Sequence, residues 1–65
     1  MNKLDIDRIR ALEKADRGTF IYVENDTITV EKVADGYFIG SLIHLISHLA
    51  EDEMAVIAYI ERHCI

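Results

Sequence analysis

Two turn-forming pairs ten residues apart, Asn25-Asp26 and Asp35-Gly36, commit the middle of this chain to β-structure. Both tolerate the left-handed dihedrals of a tight hairpin turn, and runs of β-branched and aromatic residues flank them. A two-residue loop at Asn25-Asp26 predicts a register. Val23 lies opposite Ile28 and Ile21 opposite Val30, and these four share one aliphatic face. Glu24 lies opposite Thr27, Tyr22 opposite Thr29 and Phe20 opposite Glu31, sharing a mixed face. The aliphatic face is expected to pack on helices. The mixed face exposes Phe20 and Tyr22 unless the first helix covers it. After Asp35-Gly36, Tyr37-Phe38-Ile39 has room to pair back as a short third strand.

A helix is expected before this region. Asn2 or Asp5 caps it, it runs to about Asp16, and Gly18 stops it. Leu4, Ile9, Ala11, Leu12 and Ala15 fall on one side of the helical wheel, and Arg10, Lys14 and Arg17 on the other with Asp7. After the β-region, Gly40 and Ser41 release the chain, with Ser41 as a helix cap. No glycine or proline occurs from Ser41 to Cys64, and the apolar residues keep one helical phase through the acidic Glu51-Asp52-Glu53. One long amphipathic C-terminal helix is therefore expected, with a break near Asp52 as the rival. Glu53 is the residue that fits the apolar half badly. The fold class is α+β: an N-terminal helix, a β-hairpin with a short third strand, and the long C-terminal helix, in one small domain spanning 1–65.

Size bounds how such a chain is held together. With 65 residues and a single cysteine, no internal disulfide closes it, and a domain this small is marginal alone. The apolar half of a long last helix exceeds what a short hairpin covers. This predicts a helix-packed homodimer joined through Leu42, Ile46, Leu49, Val56, Ile57 and Ile60.

The charge pattern narrows the partners. Residues 1–17 carry five basic and four acidic side chains, and 18–65 carry two basic and eight acidic. Duplex nucleic acid is held mainly by Lys and Arg neutralising phosphates, so an acidic body with one mildly basic helix face at Arg10, Lys14 and Arg17 fits it poorly. A protein partner with a basic surface fits better. The segment MNKLDIDRIR has no apolar core of a leader, and the longest apolar run, Met54 to Ile60, is far too short to span a bilayer. A cytoplasmic setting without membrane attachment is the expectation.

His44 and His48, four apart, with Glu51 three further on, have a spacing that zinc sites use on helices. A catalytic zinc helix would place glutamate directly after the first histidine, and Leu45 stands there. A fourth ligand would have to come from elsewhere, such as His63 or Cys64 of another chain. The plainer reading of the pair is ordinary surface histidines, and of Cys64 a small apolar packing residue.

No phosphate loop, Cys-x-x-Cys pair or nucleophile elbow is present. The expected function is a non-catalytic interaction module, a small acidic regulator or inhibitor that binds through Phe20, Tyr22 and Tyr37 and needs no cofactor. Small acidic proteins of phages and mobile elements share this profile as a type. The alternative is a metal- or pH-responsive switch at His44 and His48, with zinc as the metal.

Overall fold

The computed structural model describes residues 1–63, and Cys64 lies outside them. The chain folds as α1 (Lys3–Leu12), β1 (Phe20–Val23), β2 (Ile28–Val33), β3 (Gly36–Ser41), β4 (Ile46–Ala50) and α2 (Glu53–His63). The strands form one antiparallel meander in the order β1-β2-β3-β4. Both helices contact the sheet and each other, α1 over β1 and β2, α2 over β3 and β4. They cover one face of it. The architecture is α+β, as the sequence predicts.

The first hairpin has the expected register, with Val23 opposite Ile28 and Phe20 opposite Glu31. Glu24, Asn25 and Asp26 all take positive φ at its tip. Glutamate has no local preference for that conformation. It is held there because the carboxylate of Asp5, itself buried in α1, accepts from the Glu24 backbone N–H at 3.2 Å. Asp5 is thus a tie between helix and hairpin, while Asn2 is the cap, its Oδ1 accepting from Asp5 N–H at 2.9 Å. The helix ends near Leu12, earlier than Asp16, because Glu13, Lys14 and Ala15 bond back three residues and tighten the last turn.

The core lies between the sheet and the helices. Ile9 and Leu12 of α1 and Val56 and Ile60 of α2 meet Val23, Ile28, Val30, Tyr37, Ile39, Ile46 and Ala50. Leu4 and Ala11, placed by the wheel on the buried side of α1, are exposed. Tertiary packing selects Asp5, Ile9 and Leu12 instead, one face at i, i+4 and i+7.

The long C-terminal helix is the main correction. Residues 41–50 complete β3, turn at Leu42–Leu45 and return as β4, and only Glu53–His63 is helical. The segment Leu42–Ala50 is apolar enough to satisfy both a helical and a strand period, so periodicity alone does not decide it. Pairing decides it: Ile46, His48 and Ala50 lie opposite Ser41, Ile39 and Tyr37 of β3. Ser41 does accept from the N–H three residues on, at 3.1 Å from His44 N, as an N-cap would. Its hydroxyl also donates to Thr27 O at 2.8 Å, which pins the turn to the first hairpin instead of starting a helix. The true cap of α2 is Asp52, whose Oδ1 accepts from Ala55 N–H at 2.8 Å. The break near Asp52 is where the helix begins. Glu53, the misfit of the wheel, is its first residue and keeps Oε2 buried without a hydrogen-bond partner among the described residues.

Candidate functional site

The two faces of the sheet differ sharply. Side chains alternate along each strand, so the pairing places Phe20, Glu31, Phe38 and Leu49 in one row on the face away from the helices. Tyr22, Thr29, Gly40 and Ser47 form the next row on that face. Nothing in the described chain covers these rows. Phe20 is 51% exposed, Tyr22 49%, Phe38 41% and Leu49 57%. Phe20 and Tyr22 meet edge to face, with ring centroids 5.5 Å apart and planes at 87°. The Phe38 ring leans over Gly40, where an added Cβ would meet Phe38 Cε1 at 3.2 Å.

The β3–β4 turn extends this surface. Leu42 is 95% exposed and Leu45 89%, with Ile43 also exposed. Leu45 holds φ at 56°, a conformation that costs a non-glycine residue about 1–2 kcal/mol. Between this turn and the sheet lies a groove of about 510 Å³, lined by Thr29, Phe38, Gly40, Leu42, Ile43 and Ser47 among others. Exposed apolar side chains in one connected area are what mark a binding surface, where isolated ones would mean little. Glu31, set between Phe20 and Phe38, is the only charged residue in the two rows, and they hold no Lys or Arg.

The structure distributes the residues singled out from the sequence as follows. Phe20 and Tyr22 lie on the open face. Tyr37 does not: it is buried against the helices, and burial, then Glu13, Glu53 and Asp52, push its phenol above the usual tyrosine pKa. Phe38 takes the place expected for Tyr37. Any two-residue loop at Asp35-Gly36 or Ala34-Asp35 puts Tyr37 on the face of Val30, so extending the alternation by one strand would have shown it. Leu49 joins the site only through β4, which the sequence reading took for helix.

Of the six residues expected at a helix-packed dimer seam, Ile46, Val56 and Ile60 are buried in the chain's own core. Ile57 packs against that core, and Leu42 and Leu49 lie on the turn and open face. The apolar half of α2 is therefore occupied within one chain, because β4 brings a fourth strand under it.

His44, His48 and Glu51 do not share a helix face. His44 sits on the exposed turn with Nε2 3.5 Å from Thr27 Oγ1. His48 lies on β4 on the helix side, stacked on Tyr59 at 4.0 Å between centroids. Glu51 is exposed after β4. No group of three or more His, Cys, Asp or Glu among the described residues is placed to hold one metal. Among the described residues no helix is long and apolar enough to cross a membrane.

No protein-family model, curated protein or solved structure matches the chain.

Proposed function

We propose that this chain is a non-catalytic protein-binding module, a small acidic regulator or inhibitor that docks another protein on its open sheet face. One observation carries the reading: Phe20 and Tyr22 on β1 and Phe38 and Leu49 on β3 and β4 are exposed on one sheet face, on either side of Glu31 and Thr29, and the chain's own helices leave that face uncovered. Aromatic side chains of this kind supply large contact area at low entropic cost and are enriched at binding hot spots. Glu31 in their midst favours a partner that presents Arg or Lys within an apolar patch. An arginine suits it best, since its guanidinium pairs with the carboxylate while its plane stacks on the flanking rings. The net charge of −5 steers the chain toward a basic partner over longer range.

The test is capture from extracts of cells that express the chain, using Phe20→Ser with Phe38→Ser. Each hot-spot truncation costs about 2 kcal/mol or more, so the pair is expected to weaken capture by roughly a hundredfold or beyond. Met54→Ser removes a 74% exposed apolar side chain from α2 and serves as control, with capture retained. Equal loss in both, or in neither, would overturn the assignment. The double variant should remain folded with a modestly lower melting temperature, because both rings are only partly buried, outside the core, and Phe20 loses its edge-to-face contact with Tyr22.

A further inference from the structure

We infer that β4 is a self-pairing edge, through which two copies of this chain join across a two-fold axis into one continuous sheet. The backbone directions follow from the pairing. Lys32 N–H donates to Thr19 O, and Lys32 O accepts from Gly18 N–H, so Lys32 turns its backbone polar groups toward β1. Alternation across the sheet then turns Ile46, His48 and Ala50 toward β3. Ser47 and Leu49 are left with N–H and C=O pointing out of the free edge.

The two edges of the sheet are treated differently. On β1, Arg8 Nη1 donates to the outward carbonyl of Tyr22 at 2.9 Å, so a charged side chain from α1 guards that edge. β4 reads Ile-Ser-His-Leu-Ala, with no lysine, arginine or proline to discourage pairing. No described group bonds the outward atoms of Ser47 and Leu49.

An antiparallel pair centred on His48 uses all of these atoms. Ser47 and the partner's Leu49 exchange both backbone hydrogen bonds, and symmetry repeats the exchange. The result is an eight-stranded sheet, twice the four strands of one chain, with guarded β1 strands at both ends. The helices permit this approach. Beside β4 lies a groove of about 360 Å³ whose α2 wall carries Tyr59, Arg62 and His63 together with Ala55 and Ala58, and the two alanines are where a second helix can come close. Charge complements it as well. α2 follows β4 after two residues and so runs back along it. The two-fold axis therefore brings Arg62, near the end of α2, to the acidic start of the partner helix, at the partner's Glu51 and the partner's Asp52. A second copy supplies both the strand and the cation for each acidic pair, which an unrelated extended peptide would not. The pairing also sets the open faces of both copies side by side, giving a partner protein two adjoining sites.

The experiment is light scattering on a sizing column, over concentrations from about 1 µM to 1 mM. The chain is expected at twice its 7.5 kDa mass at the upper end. Ala58→Glu, an exposed helix position where glutamate is well tolerated, should shift dissociation upward at least tenfold in concentration with the circular dichroism unchanged. Arg62→Glu should do the same, and adding Glu51→Arg should restore the dimer, with Asp52 kept because it caps α2. A monomer throughout overturns the inference. So does a dimer that survives Ala58→Glu but is lost in Phe38→Ser, since it would be joined by the open face. A monomer throughout leaves the docking of a separate protein on the open face untouched, whereas a dimer joined by the open face counts against both readings.

Discussion

Replacing Gly36 with alanine is expected to lower the stability of this domain by about 3 kcal/mol or more. Gly36 opens β3 with φ at 147°, a conformation that L side chains rarely adopt, and Ala50, the last residue of β4, pairs with the next residue, Tyr37. A Cβ there would be driven into the carbonyl oxygen of Ala50, a backbone atom that cannot swing aside. Relief requires β3 and β4 to separate at that end, where Tyr37 pairs with Ala50. A domain of this length holds roughly 3–10 kcal/mol in total, so toward the lower end of that range much of the variant population would be unfolded. Gly18 provides the comparison. Its φ is also positive, at 95°, but a Cβ would meet nothing within 4 Å. Gly18→Ala should therefore cost only about 1 kcal/mol, the dihedral strain alone. Urea midpoints of the two variants, measured together, separate collision from strain.

Ile60→Ala is expected to cost about 2–5 kcal/mol. Ile60 is fully buried with Val56, Ile9 and Leu12, and the helix-to-helix contact of α1 and α2 gives the site little freedom to collapse. The sequence-based reading of a dimer seam implies otherwise: Ile60→Ala would then change the association constant and leave the isolated chain's stability nearly untouched. The measurement belongs in the Ala58→Glu background, so that self-association does not enter the comparison. A loss of that size in this background identifies Ile60 as a core residue of one chain, and a stability left nearly unchanged would return it to a seam between chains.

The first hairpin was legible to the residue because two independent signals agree there. The Asn25-Asp26 turn fixes the offset, and strict alternation fixes which face is aliphatic. That same register exposes Phe20 and Tyr22, so half of the candidate site could be read from the sequence. The third hairpin, β3 to β4, was not legible, for a definite reason. Its turn, Leu42-Ile43-His44-Leu45, contains none of the residues that announce a turn, and it places a leucine at positive φ. Ser41 even makes the hydrogen bond of a helix cap. What overrides these local signals is long-range: the Ser41 hydroxyl bonds Thr27 O, His48 completes the row of Val30 and Ile39, and Ile46 and Ala50 pair with Ser41 and Tyr37 on the same face. Missing β4 had two consequences. It hid Leu49 as a companion of Phe20, while Phe38, on β3, was missed only because the alternation was not carried past the Asp35-Gly36 turn. It also left α2 with an apolar face that looked uncovered, when β3 and β4 cover it.

An unadorned turn of exposed leucines beside an uncovered aromatic face is costly to solubility and contributes nothing to the core. Such a combination makes physical sense where another surface covers it. The direct measurement is photo-crosslinking with benzoylphenylalanine placed at position 20 on the open face and, separately, at position 54 on the opposite side of the molecule. The docking account predicts one discrete adduct with a different protein from position 20, formed through a basic patch of that protein and absent from position 54. The same set of adducts from both positions, or adducts of the chain only with itself, would contradict it.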